Sequence, residues 1–109
     1  MEYMTPPNHF GFLAKKIYGT PIVGTIIDCS IAMIESNGGG PKPAHQHLHN
    51  HFFIVIDGEA AIYEGEKKTV VKNDEAIYVD GNTLHSIWNE SNKPLKMIGI
   101  TIRQEQNKE

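Results

Sequence analysis

The chain has 109 residues, enough for one domain with a modest core and no second domain. A net charge of −3 removes the electrostatic reason to expect nucleic acid or an anionic membrane as partner, and 39% hydrophobic with 21% charged residues is the balance of an ordinary soluble globular protein. No apolar run approaches the ~20 residues of a membrane-spanning helix, and the first residues lack the basic start and apolar stretch of a signal peptide. The single cysteine, Cys29, cannot close an intrachain disulfide, so a reducing cytoplasm is the expected compartment.

No segment carries a helical period of useful length. Short runs rich in Val, Ile, Tyr and Phe alternate with Gly, Asn, Asp and Pro clusters, which predicts an all-β sandwich or barrel. Residues 1–20 form a poorly patterned arm, suited to packing on a partner subunit. The barrel is expected over 21–103, with a frayed tail at 104–109. Strands are predicted over 22–27, 30–35, 45–47, 52–56, 60–64, 68–71, Ala76–Val79, His85–Trp88 and Leu95–Arg103. Cys29 falls in an apolar run, where a thiol is expected to pack. Residues 37–43, Asn-Gly-Gly-Gly-Pro-Lys-Pro, read as a flexible loop ending in stiff prolines; without a helix start or a Lys-Ser/Thr pair, they make a poor phosphate cradle. Asp57-Gly58, Gly65, Asn73-Asp74 and Ser91-Asn92-Lys93-Pro94 supply turn chemistry between the later strands.

Two runs carry packing information. Phe52-Phe53-Ile54-Val55-Ile56 is apolar on both faces. Phe53 and Val55 share parity with His51 and are expected inside, whereas Phe52, Ile54 and Ile56 point outward and need a cover. His85 and Ile87 share one face, which turns Trp88 outward. An outward Trp beside an outward apolar strip predicts a homodimer, the alternative cover being another strand of the same chain.

Four of the six histidines, His45, His47, His49 and His51, fall on alternate residues, and His85 lies 34 positions after His51. Alternate side chains of a strand share a face about 6.6 Å apart, and imidazoles so placed can converge on a transition metal that takes nitrogen at about 2.0–2.1 Å. In a straight strand, however, His47 and His51 stand about 13 Å apart, as do His45 and His49. A site that uses His51 therefore needs a bend across 48–50.

At these residues the chain resembles a known family. Gly39-(five residues)-His45-Gln46-His47-(three residues)-His51-(six residues)-Gly58 resembles the first cupin motif, with His51 where that motif carries a glutamate. The segment from Asp74 to Asn89 is similar to the second, with His85 and Asn89 at its histidine and asparagine. Asp74, Asp80 and Asn82 replace its usual Gly, Pro and Gly; Asn82 can still take the left-handed conformation of the turn. Fifteen residues, 59–73, separate the motifs, the short spacing of small single-domain cupins. The resemblance implies a double-stranded β-helix barrel (jelly-roll-like) holding one divalent transition metal ion on His45, His47, His51 and His85. It also implies His49 near the barrel mouth and Asn89 in a structural role. Four neutral histidines leave a divalent ion its full +2 charge, against +1 with a glutamate in the set. Zn, Ni, Mn, Fe and Cu all suit such ligands.

His9 lacks a patterned context and reads as surface. Glu35, Tyr63, Tyr78, Asp80 and Glu75 are the ionisable candidates near the site, and none forms a pair whose spacing demands acid–base work. The chemistry expected is then the metal's own, and the catalytic residues are left unassigned. A mostly apolar pocket wall of Met33, Phe53, Val55, Ile87, Ile98 and Ile100 suits a small, partly apolar ligand held at its polar end by the metal. Two readings follow: a metal-dependent oxygenase or lyase, or a cupin that binds metal or a small molecule without turnover.

Overall fold

The computed structural model describes residues 2–104. Eight strands are present, β1 (Thr25–Ile34), β2 (Gly39–His45), β3 (Asn50–Asp57), β4 (Glu59–Glu64), β5 (Lys67–Lys72), β6 (Ala76–Val79), β7 (His85–Trp88) and β8 (Leu95–Arg103), and no helix occurs among the described residues. They form two antiparallel four-stranded sheets, ordered β1-β8-β3-β6 and β2-β7-β4-β5. Phe53, Val55, Ala60, Ile62, Val71, Val79, Leu95 and Met97 fill the space between them, with Ala32, Ile34, Ile77 and Ile87 packed around that cluster. The all-β expectation therefore holds, and the residues that β3 and β4 give to this cluster, Phe53 and Val55, Ala60 and Ile62, obey the period of two.

Three local expectations are corrected. The strands expected at 22–27 and 30–35 are one strand, β1, whose register shifts between Ile26 and Asp28; a bulge at Ile27 absorbs the irregularity that reads as a break. The loop expected at 37–43 is most of β2. Gly39 and Gly40 pair with Trp88 and Ile87, and a Cβ at Gly39 would stand 2.7 Å from the Trp88 Cα, so glycine permits the close approach. Pro41 and Pro43 fit because β2 is an edge strand and the ladder is interrupted there. Cys29 is exposed, not packed, since it points from the outer face of β1, the other sheet's edge strand.

Phe52, Ile54 and Ile56 do face outward, opposite to Phe53 and Val55. Their cover begins within the same chain: the Tyr18 ring meets Phe52 edge-on at 4.8 Å. The arm doubles back through a bridge between Met4 and Ala14, and Tyr3 and Lys15 reach Asp74 at 3.4 Å and 3.8 Å. Of the tail at 104–109, all beyond Gln104 lies outside the described residues.

Asn89, fully buried, ties three segments. Its amide nitrogen donates to the carbonyls of Ile34 (2.9 Å) and Lys93 (2.7 Å), and its oxygen accepts from the Ser91 backbone N–H and hydroxyl. The expected structural role is what the geometry shows. Asn89→Ala strands these buried partners and is expected to cost about 2–3 kcal/mol, read as a lower urea midpoint with an unchanged slope.

Candidate metal centre

The histidines meet because the chain stops being a straight strand at His45. Strand β2 ends there, directly opposite His85 on β7. Residues 46–49 then turn, and β3 starts at Asn50 with His51 on its inner face. This brings His47 Nε2 to 3.1 Å from His51 Nε2, although the extended spacing would hold the two rings far apart.

A backbone clamp holds that turn. The His47 N–H donates to the Gly81 carbonyl (2.8 Å), and the Gly81 N–H donates to Asn50 Oδ1 (2.8 Å), whose amide donates to the Tyr78 hydroxyl (2.7 Å). The fit is close enough that a Cβ on Gly81 would overlap the His49 carbonyl oxygen and lie 2.7 Å from that of His47. The adjoining turn is closed by Asp80, which accepts from the Asn82 N–H through its carboxylate (2.9 Å) and from the Thr83 N–H through its carbonyl (3.1 Å). Asn82 is not left-handed; the Asp80 side chain shapes the turn instead.

Nitrogens of His45, His47 and His85 all lie within 4.8 Å of one another, and their ring centroids are 4.6–4.9 Å apart. His51 adjoins the group, 4.9 Å from the His47 ring and 5.4 Å from that of His85, and stacks on Phe53 at 5.2 Å. Among the described residues the ring of exposed His49 meets only that of His47, at 6.5 Å and tilted. His9 lies exposed in the arm, where its ring donates to the Pro7 carbonyl.

The donor set fits a metal. His85 Nδ1 donates to the Thr83 carbonyl (2.8 Å), which leaves Nε2 unprotonated. That nitrogen, and Nδ1 of His47, are buried without a hydrogen-bond partner. Orphaned buried polar atoms are costly, and here both belong to rings of the cluster. Burial first, then repulsion from His85 and His45, lowers the His47 pKa; burial, then His47, His85 and His45, lowers that of His51 to about 4, against a small opposing pull from Asp28. Both rings are therefore neutral at pH 7, the state a metal requires.

The expected pocket residues separate. Phe53 and Val55 lie inside, with Phe53 on His51, and Ile87 is inside in register with Ile62. Met33 and Ile87 both line a cleft of about 680 Å³ between the end of β1 and the start of β2, but no histidine lines it. Met33 itself points outward, 73% exposed. Ile98 and Ile100 are on the outer face too, in register with Ile54 and Phe52, because the inner positions of β8 are Met97, Gly99 and Thr101. The apolar wall is thus narrower than the sequence implies. Two carboxylates escaped the sequence reading: Asp28, which reaches the row of His51 through Thr101, and Glu64, in register with His85. Their signal is parity, usable only once the strand pairing is known.

A family model described as the cupin domain matches residues 32–101. The chain is 33% identical over 63 residues, 57% of its length, to a mannose-1-phosphate guanylyltransferase from Salmonella muenchen, and that match spans 13% of the larger protein. Among solved structures, a Bacillus halodurans protein superposes with a TM-score of 0.64 and 22% identity over 78% of this chain and 68% of that one. A predicted oxalate decarboxylase from Thermotoga maritima gives 0.64 and 18% over 72% and 67%. At these identities the likeness is one of fold.

Two outcomes follow from the geometry. Gly81→Ala is expected to push the 47–49 turn off its seat, lowering both the melting temperature and metal uptake; unchanged uptake would show that the clamp does not position the rings. For pH, the unfolded chain protonates residue 51 near the ordinary value of about 6.5, whereas the folded chain resists until about 4. The unfolded state then binds more protons across that window, so stability falls as pH drops through it. Melting curves of metal-free protein are expected to show this decline, and His51→Gln to flatten it.

Proposed function

The chain belongs to the cupin family, and from that premise we propose that it is a metal-binding cupin in which His45, His47, His51 and His85 hold one divalent transition metal ion. The ion serves a metal-dependent oxygenase or lyase reaction on a small, partly apolar organic substrate. The observation that carries this reading is the pair of buried, partnerless nitrogens, His85 Nε2 and His47 Nδ1, on rings that cluster with His45. When bound, the ion supplies Lewis acidity undiminished by any anionic ligand, enough to polarise a carbonyl or ionise a water.

The protein's own groups do the positioning. Thr83 holds the His85 ring in the tautomer that leaves Nε2 free, and Phe53 holds the plane of His51 by stacking. Asn50 and Gly81 keep the two histidine-bearing segments together. Phe53 and Ile87 offer the apolar edge of a substrate a dry surface. A second reading, binding without turnover, is favoured by the lack of any carboxylate in the cluster that groups His45, His47 and His85 among the described residues. We also take the protein to be a homodimer, because Ile26, Ile31 and Met33 on β1 stay 66%, 64% and 73% exposed, an apolar strip suited to a second copy.

Metal analysis of untagged protein is expected to give about one ion per chain. Ala at residue 45, 47 or 85 should reduce occupancy at least tenfold, while His49→Ala should leave it intact. An emptied site in the His49 variant with retention in the His47 variant would overturn the ligand assignment. Oxygen uptake or product formation against a catechol and β-diketone panel then separates the enzyme from the binding module; a stoichiometric ion with no turnover on any member favours binding alone.

A further inference from the structure

The inner face of the first sheet changes character beside the histidines. Two cross-strand rows run across it: Asp28–Thr101–His51–Val79 and Ser30–Gly99–Phe53–Ile77. Residues in one row share a face, and the face is fixed at both ends, by His51 and Phe53 on β3 and by Ala32 and Ile34, which continue the Asp28–Ser30 parity of β1 into the core. Asp28, Ser30 and Thr101 therefore stand on the side that carries the histidine cluster. The Asp28 charge is near enough to be felt at the His51 ring.

Between the polar and apolar parts lies Gly99. Gly99 has no side chain, and a Cβ there would meet the Phe53 ring at 3.4 Å and Ser30 Oγ at 3.8 Å. The Phe53 ring edge and the Ser30 hydroxyl thus lie against the glycine, one on each side of the boundary. Among the described residues, Asp28, Ser30 and Thr101 have no side-chain hydrogen bond or ion pair within the protein. An ionised carboxylate only accepts hydrogen bonds, whereas the two hydroxyls can accept or donate. A carboxylate facing the site repels a second anion and favours a ligand that brings a hydroxyl donor.

We propose that Asp28, with Ser30 and Thr101, forms a specificity-determining wall that accepts a hydrogen bond from a substrate hydroxyl, so that the ligand is a small hydroxylated carbonyl compound. Its carbonyl end lies towards the histidines, its hydroxyl against Asp28 and its carbon skeleton along the Phe53 edge. This deepens the metal-binding reading and rests on it.

The probe pair is hydroxyacetone and methoxyacetone, which share a carbonyl and differ in the donor. Protein loaded with Co²⁺ is first assayed for cobalt content, then titrated with each ketone while the visible absorption of the cobalt is followed. Asp28→Ala and the near-isosteric Asp28→Asn are expected to keep wild-type cobalt content. In the Ala variant hydroxyacetone should weaken about tenfold with methoxyacetone little changed, a selective loss of the kind expected when a site that pairs a substrate hydroxyl loses its partner. The Asn variant, which keeps an acceptor oxygen, should fall between, and it carries the test if the Ala variant does not fold. A wild type that takes up no cobalt overturns the metal reading and this inference with it. Cobalt-loaded wild type that binds neither ketone, or variants that keep the wild-type preference, overturn the wall alone.

Discussion

The pairing of residues 47–50 with Gly81 is the constraint on which the rest of this structure depends. Three of the clustered histidines come from one segment and the fourth from another, and neither segment can gather them alone. The His47–Gly81 and Gly81–Asn50 hydrogen bonds join the two backbones where the imidazoles converge. Asn50 is fully buried, and its amide is satisfied at both ends by Gly81 and Tyr78. Buried, fully paired amides specify one arrangement because every alternative leaves a polar group without a partner. The absent Cβ at Gly81 is part of the same device, since it lets the His47–His49 carbonyls come down onto the second segment.

That clamp places the cluster at a boundary. Below it, Val55, Ile62, Leu95 and Met97 make a dry core; above it, His45 and His49 reach solvent. His47 and His51 sit between, half-buried and neutral, beside the buried His85. Repulsion among the rings adds to burial in keeping protons off His47 and His51, so the same crowding that makes the cluster unfavourable as a set of cations suits it to one shared cation. The inward-turned face of the first sheet changes along its width as well, from buried Phe53 to exposed Asp28 and Ser30 at its edge. Phe53 and Ile87 are apolar, whereas Asp28, Ser30 and Thr101 are not, and the difference falls along strands β8 and β1 of a single sheet.

The outer surface shows the same division of labour. The arm covers part of β3 through Tyr18 and anchors on Asp74, while β1 keeps Ile26, Ile27 and Ile31 exposed. An edge strand of ten residues with one charged side chain, Asp28, is an open template for association, and no proline or lysine blunts it.

Alternation alone determined much of this protein: an all-β chain, with Phe53 and Val55 inside, Phe52 outside and Trp88 outward; the resemblance to the cupin motifs, and not the alternation, implied Asn89 as a structural tie and histidines 45, 47, 51 and 85 as the set to test. The facings were legible because a strand's period of two sorts residues locally, without knowledge of what lies across from them. Only the tertiary structure decided how His47 and His51 meet, that the Gly-Pro run pairs as a strand, that Ile98 and Ile100 face away from the site, and that Asp28 faces it. Each of those depends on register between strands far apart in the chain. Register is set by bulges, glycine contacts and buried hydrogen bonds that form only when the partners are in place.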